Sequence, residues 1–192
     1  MEDFVSFFLI LIIITLLYIY LETKSLDVKF VVSNFDGKKY LVRNLPDKQA
    51  AATLISKIGS KLTKLVNSLK DQEDDNEDIR RLIRNYNPNN ISESSPNNKY
   101  TSYSINKGEK IVFCIRSRDN SNKLVDENTM MFVAIHELAH LMTKSIGHTK
   151  EFWDNMRFLL KQAIKIKIYV KQDFRNNPVS YCGTKITDSP LK

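Results

Sequence analysis

A chain of 192 residues has room for one domain with a real core and excludes two of ordinary size. The net charge of +7 is concentrated late: residues 141–192 hold ten Lys and Arg against four Asp and Glu. Such a surface attracts a nucleic acid or an anionic membrane, but a solvated basic face is the simpler reading, so charge alone assigns no partner.

The first element is apolar on every side. Residues Phe4 to Leu21 (FVSFFLILIIITLLYIYL) carry no charge, and 18 residues at about 1.5 Å each give roughly 27 Å of helix, enough for a thin bilayer. A buried core helix is the weaker alternative, because no face is left for solvent. A cleaved signal peptide would want a basic start and small residues before the cleavage site. Here the run follows Glu2 and Asp3 and ends in Tyr18, Tyr20 and Glu22. We therefore expect residues 1–23 to form an uncleaved anchor, with the lipid bilayer around residues 4–21 as partner, and residues 24–192 to form one domain. Lys24, Lys29, Lys38, Lys39 and Arg43 follow the span, so the positive-inside rule places that domain in the cytosol or inside a virion. There Cys114 and Cys182 need not pair, although two cysteines do not decide the compartment. One glycosylation triplet, Asn90-Ile91-Ser92, is present.

Asp27 to Ser33 and Lys38 to Arg43 flank Asn34-Phe35-Asp36-Gly37 as a hairpin. From Pro46 to about Lys70, apolar residues recur every three or four positions (Leu54, Ile55, Ile58, Leu62, Leu65, Val66, Leu69), the period of a helix packed on a core. Asp71 to Asp78, with six acids, reads as a solvated loop before a short basic helix around Ile79 to Tyr86, and Asn87 to Lys99 reads as loop. A second hairpin joins Tyr100–Ile105 to Lys110–Arg116, whose latter strand is the more apolar and is expected to be central. Asp126 is a helix N-cap, and Glu127 to about Ser145 is the next helix. Gly147 breaks it, a last long helix starts near Thr149, and the tail after Asp173 shows no period.

All three histidines lie within H136-E-L-A-H140-L-M-T-K-S-I-G-H148. Residues four apart share a helical face, so His136 and His140 can present imidazole nitrogens to one metal, with Glu137 beside them. On a straight helix His148 would lie roughly 12 Å further along the axis. Gly147 can adopt left-handed backbone angles without a side-chain penalty, and so returns His148 to the other two. Three neutral imidazoles leave one tetrahedral position of a zinc ion open, as a catalytic site requires. Glu137 would then be the general base toward a water activated by the metal, and the substrate a polypeptide. The surrounding helix is almost wholly apolar, where histidines and a glutamate would be costly without a partner such as a metal. Two other readings stand beside this one: a silent protein in which zinc only holds two helices together within a virion membrane protein, and a basic binder of membrane or nucleic acid. Sequence favours the enzyme, because Glu137 is not needed as a ligand and a structural site is more often closed by cysteine.

HELAH followed by GHTKEFW resembles the active-site region of the WLM and SprT-like zinc metallopeptidases, in which HExxH precedes a short spacer and a third His shortly before a Phe. VRNLPDKQ, MFVAIHELAH and KITDSP resemble phrases of WLM-type proteins of large DNA viruses. The viral likeness covers roughly residues 35–190, the wider one about 126–165. The resemblance implies an α+β zincin-like minimal metallopeptidase fold, a small sheet packed on an active-site helix, with His136, His140 and His148 as zinc ligands and Glu137 as base. Relatives that cut proteins crosslinked to DNA carry DNA-binding segments; this chain offers an apolar N-terminal run and an unassigned basic tail, so a nucleic-acid partner is not favoured. Tyr103, Tyr181 and Arg116 are equal candidates for stabilising an oxyanion. Cys182 reads as a small turn residue, or as a thiolate closing the fourth zinc position.

Overall fold

The computed structural model describes residues 2–24, 27–96, 98–119 and 121–191; Asn97, within the stretch read as loop, lies outside them. The first helix, α1 (Glu2–Lys24), is exposed along its whole apolar length, consistent with a sequence that offers no polar face. A two-stranded antiparallel hairpin follows, β1 (Val28–Val32) with β2 (Lys39–Arg43), in register Val31 to Tyr40. Gly37, at φ +71°, makes its turn. Tyr40 and Val42 share the inner face and pack toward α2 (Lys48–Asn67), whose buried stripe Leu54, Ile55, Ile58, Leu62 and Leu65 follows the helical period.

After α3 (Glu77–Asn85) comes a three-stranded sheet of order β3-β5-β4, built from β3 (Ile91–Glu93), β4 (Tyr103–Ile105) and β5 (Lys110–Phe113). As its apolar sequence suggested, β5 is central, antiparallel to β4 and parallel to β3. Helix α4 (Glu127–Met142) lies at the middle of the molecule against α2, α3, β4 and α5 (Lys150–Lys165). Asp126 caps α4 by accepting from the Asn128 and Thr129 amides, and Thr149 caps α5. The architecture is mixed α+β, with small sheets and five α-helices among the described residues.

Four readings are corrected. The segment 91–93, taken as loop, is a wholly buried strand; its Ser92 and Glu93 looked too polar for one. Glu93 is tolerated because Arg116 Nε and the Arg43 amide donate to its carboxylate at 2.7 Å each, while Arg116 Nη1 also reaches Asp47 at 2.6 Å. The acidic run is not all loop, since Asn76 caps α3 and puts Glu77 and Asp78 in its first turn, where the helix dipole favours acids. The tail forms a hairpin, β6 (Val179–Tyr181) with β7 (Thr184–Ile186), through a two-residue turn of Cys182 and Gly183 at φ +48° and +81°. Finally, Cys114 and Cys182 are joined in a disulfide across 68 residues, with Cα atoms 6.2 Å apart. The pair is thus not reduced, and Cys182 offers no thiolate to a metal.

Candidate metal centre

Helix α4 ends at Met142, three residues earlier than its sequence suggested, because side chains of α3 take over its last carbonyls. Arg81 Nη1 donates to Met142 O at 2.7 Å and Asn85 Nδ2 to Leu141 O at 3.2 Å. The loop that leaves it carries Gly147 at φ +84° and is held at its start from two sides. Lys107 Nζ donates to the carbonyls of Thr143, Lys144 and Ser145, and the Glu151 carboxylate accepts from the amides of Lys144 and Ser145 and from the Ser145 hydroxyl. Sequence reasoning gave a role to neither Lys107, which lies outside the motif, nor Glu151, which lies within it between the third histidine and the Phe. Their signal was only that a loop of this kind leaves polar backbone to satisfy.

So held, His148 reaches the two histidines of α4. His148 Nε2 lies 3.1 Å and His140 Nε2 3.2 Å from His136 Nε2, and the ligand atoms of all three fall within 4.8 Å of one another. Tetrahedral bonds of about 2.0–2.1 Å would separate ligand nitrogens by roughly 3.3 Å, so these spacings suit a small ion such as zinc. Phe152, fully buried, lies against all three rings, with centroids 4.4 to 4.9 Å away, and Trp153 stacks on His148. The Phe that follows the third histidine is therefore the floor of the cluster.

Electrostatics favours the ligand form of the rings. Burial, helped by His140 and His148, pushes His136 down to about 3; burial, with His148 and Lys107, pushes His140 down to about 4. Both are neutral imidazoles at physiological pH, the state that binds metal. Glu137 is buried beside them, and burial pushes its carboxyl up to about 8. A cleft of about 600 Å³ opens on the group, lined by His136, Glu137, His140 and His148 on one side and by Ser102, Tyr103 and Lys107 on the other.

The three groups considered for an oxyanion separate. Arg116 is locked between Glu93 and Asp47 and does not line the cleft. Tyr103 does line it, and its hydroxyl accepts from Asn98 Nδ2 at 2.9 Å. Tyr181 is buried, with its hydroxyl 2.6 Å from that of Ser102.

The WLM domain family matches residues 38–191, which include the β4 wall of the cleft and the whole histidine cluster. The chain belongs to the WLM family. Uncharacterised protein R325 of Acanthamoeba polyphaga mimivirus is 33% identical over 188 residues, 96% of this chain and 94% of that protein. Uncharacterised protein 042R of invertebrate iridescent virus 3 is 43% identical over 63 residues, 33% of this chain and 38% of that protein. Among solved structures, a Wss1 mutant from Saccharomyces cerevisiae shares the fold, with a TM-score of 0.51 at 20% identity over 66% of this chain and 87% of that one. WLM membership points to a metallopeptidase-like, protease-type function, and the histidine cluster is a group that could hold a metal.

Proposed function

We propose that this chain is a membrane-anchored, zinc-dependent metallopeptidase in which His136, His140 and His148 hold the metal and Glu137 is the general base. The observation that carries the reading is the convergence of three imidazoles beside the buried Glu137 side chain on the wall of an open cleft. The donor set fits zinc: three nitrogens, no thiolate, and a glutamate left free of ligand duty. Bound there, zinc would supply Lewis acidity to a water and to the substrate's carbonyl. The chain's own residues do the rest. Glu137 takes the proton of the attacking water and returns it to the leaving amine nitrogen. Phe152 and Trp153 fix the imidazoles from behind, and the substrate is a polypeptide lying between α4 and the edge strand β4.

The anchor is α1. Its 23 residues make about 34 Å of helix, and the window Phe4–Leu21, of mean hydropathy 2.8, is wholly exposed, as a span in lipid would be. We place residues 24–192 as one zincin-like domain on the cytosolic or virion-interior side. The test is metal content together with cleavage of a denatured protein by the full chain. Wild type should hold about one zinc and cleave; Glu137→Gln should hold as much zinc and cleave at least about a hundredfold more slowly. His148→Ala should lose both metal and activity. Equal cleavage by wild type and Glu137→Gln would remove Glu137 from its role, and zinc retention with no cleavage by either would favour a structural zinc protein instead.

A further inference from the structure

Ser102 sits immediately before β4, on the wall of the cleft that faces Glu137 and the histidines. Its hydroxyl has three hydrogen-bonding capacities: one proton to donate and two lone pairs to accept with. The Cys114 amide fills one lone pair from 3.0 Å. The Tyr181 hydroxyl, 2.6 Å away, is the other neighbour. Tyr181 is 4% exposed and Ser102 is the one hydrogen-bond partner of its hydroxyl among the described residues, so the buried phenol proton is directed onto Ser102. With an amide and a phenol both donating to it, Ser102 must send its own proton elsewhere, and the direction left open is the cleft.

We propose that Ser102 is the hydroxyl donor to the carbonyl oxygen of the bound peptide, the oxyanion group that the histidine motif does not supply, and that Tyr181 and the Cys114–Cys182 bond are positioning groups for it. This rests on the peptidase reading above. The disulfide enters because the β6–β7 hairpin pairs with no other strand among the described residues, while Tyr181 and Cys182 are its two buried residues. Cys182 is tied to Cys114, the same residue whose amide donates to Ser102. One covalent bond therefore fixes both donors that orient the hydroxyl. A neutral donor of this kind acts where charge develops on the substrate oxygen, so its loss falls on kcat more than on KM.

The experiment uses the zinc-loaded full chain in detergent, with a fluorogenic peptide built on whichever bond of a denatured protein the wild type cuts, and a phosphinic analogue of that peptide as a binding probe. Zinc content and melting temperature are measured for every variant. Ser102→Ala is expected to lower kcat by about a hundredfold with KM nearly unchanged, and to weaken the phosphinic peptide in parallel. Ser102→Thr, which keeps the hydroxyl, should restore most of the loss. Tyr181→Phe should lower kcat about tenfold, the scale of one hydrogen bond. A Cys114→Ala, Cys182→Ala variant should lose a similar factor, and adding Tyr181→Phe to it should cost little more, because both act through one hydroxyl. If Ser102→Ala cleaves and binds the phosphinic peptide like an active wild type, the assignment of Ser102 is wrong while the peptidase reading stands. If the wild type holds zinc, cuts no substrate and binds no phosphinic peptide, the peptidase reading itself has failed and takes Ser102 with it.

Discussion

Glu137 has a consequence that can be measured without a substrate or a metal. Its carboxyl is pushed up to about 8 by burial, from an ordinary value of 4.5, so between these values the folded metal-free protein holds a proton that the unfolded chain has released. Stability therefore falls as pH rises through that window, since the folded state binds the more protons there. Glu137→Gln removes the titration. Thermal unfolding of the metal-free proteins should show the variant and wild type alike near pH 4.5, and the variant increasingly the more stable toward pH 8. A constant gap across that range would contradict a buried, neutral carboxyl. Glu151 makes a second residue-scale case. It touches no imidazole, yet it accepts from two amides and a hydroxyl of the loop that delivers His148. Groups that orient a metal ligand without binding the metal commonly govern about ten- to hundredfold in affinity. Glu151→Ala should weaken zinc about tenfold in competition with a chromophoric chelator, while leaving the α4 histidines in place.

At the scale of elements, the turn between β4 and β5 is the tightest junction in the site's wall. Gly108 stands at φ +118°, and a side chain there would be driven into the Asn85 carbonyl. Asn85 in turn donates to Leu141 at the end of α4, so the turn, α3 and the active-site helix share one seam. Gly108→Ala combines a forbidden backbone region with this clash and should cost about 1–3 kcal/mol, read as a fall in melting temperature of several degrees. Sequence placed this turn and its glycine, because Asn-Lys-Gly between two apolar runs is a hairpin signal. It did not place β3. Three residues are too few to show a period of two, and Glu93 belongs inside only because Arg116, 23 positions later, folds back onto it.

For the whole molecule, two features bear on topology. The basic residues after α1 are the pattern of a cytosolic or virion-interior domain, the placement proposed above, whereas disulfides persist chiefly in oxidising compartments. Asn90, half-buried in the triplet Asn90-Ile91-Ser92, separates them, since only a lumenal domain meets the glycosylation machinery. Expressed in microsomes, the full chain should carry no glycan and its domain should be open to added protease, the disulfide then being a bond made after synthesis on the cytosolic side. A glycosylated, protected domain would reverse the orientation.

What the sequence by itself determined was whatever is written in local spacing. The apolar helix, the i and i+4 histidines, the glycine that lets the third one return, the Asp126 cap and the central strand are all consequences of backbone period and residue type within a few positions of each other. What only the tertiary structure decided was everything joining distant positions: Cys114 with Cys182, Arg116 with Glu93 and Asp47, Tyr181 with Ser102, and Lys107 and Glu151 with the loop of His148. Each of these residues is unremarkable in its own stretch of chain. The reason is physical: a buried polar group must find its partner in space, and no periodicity along the chain records where that partner will be.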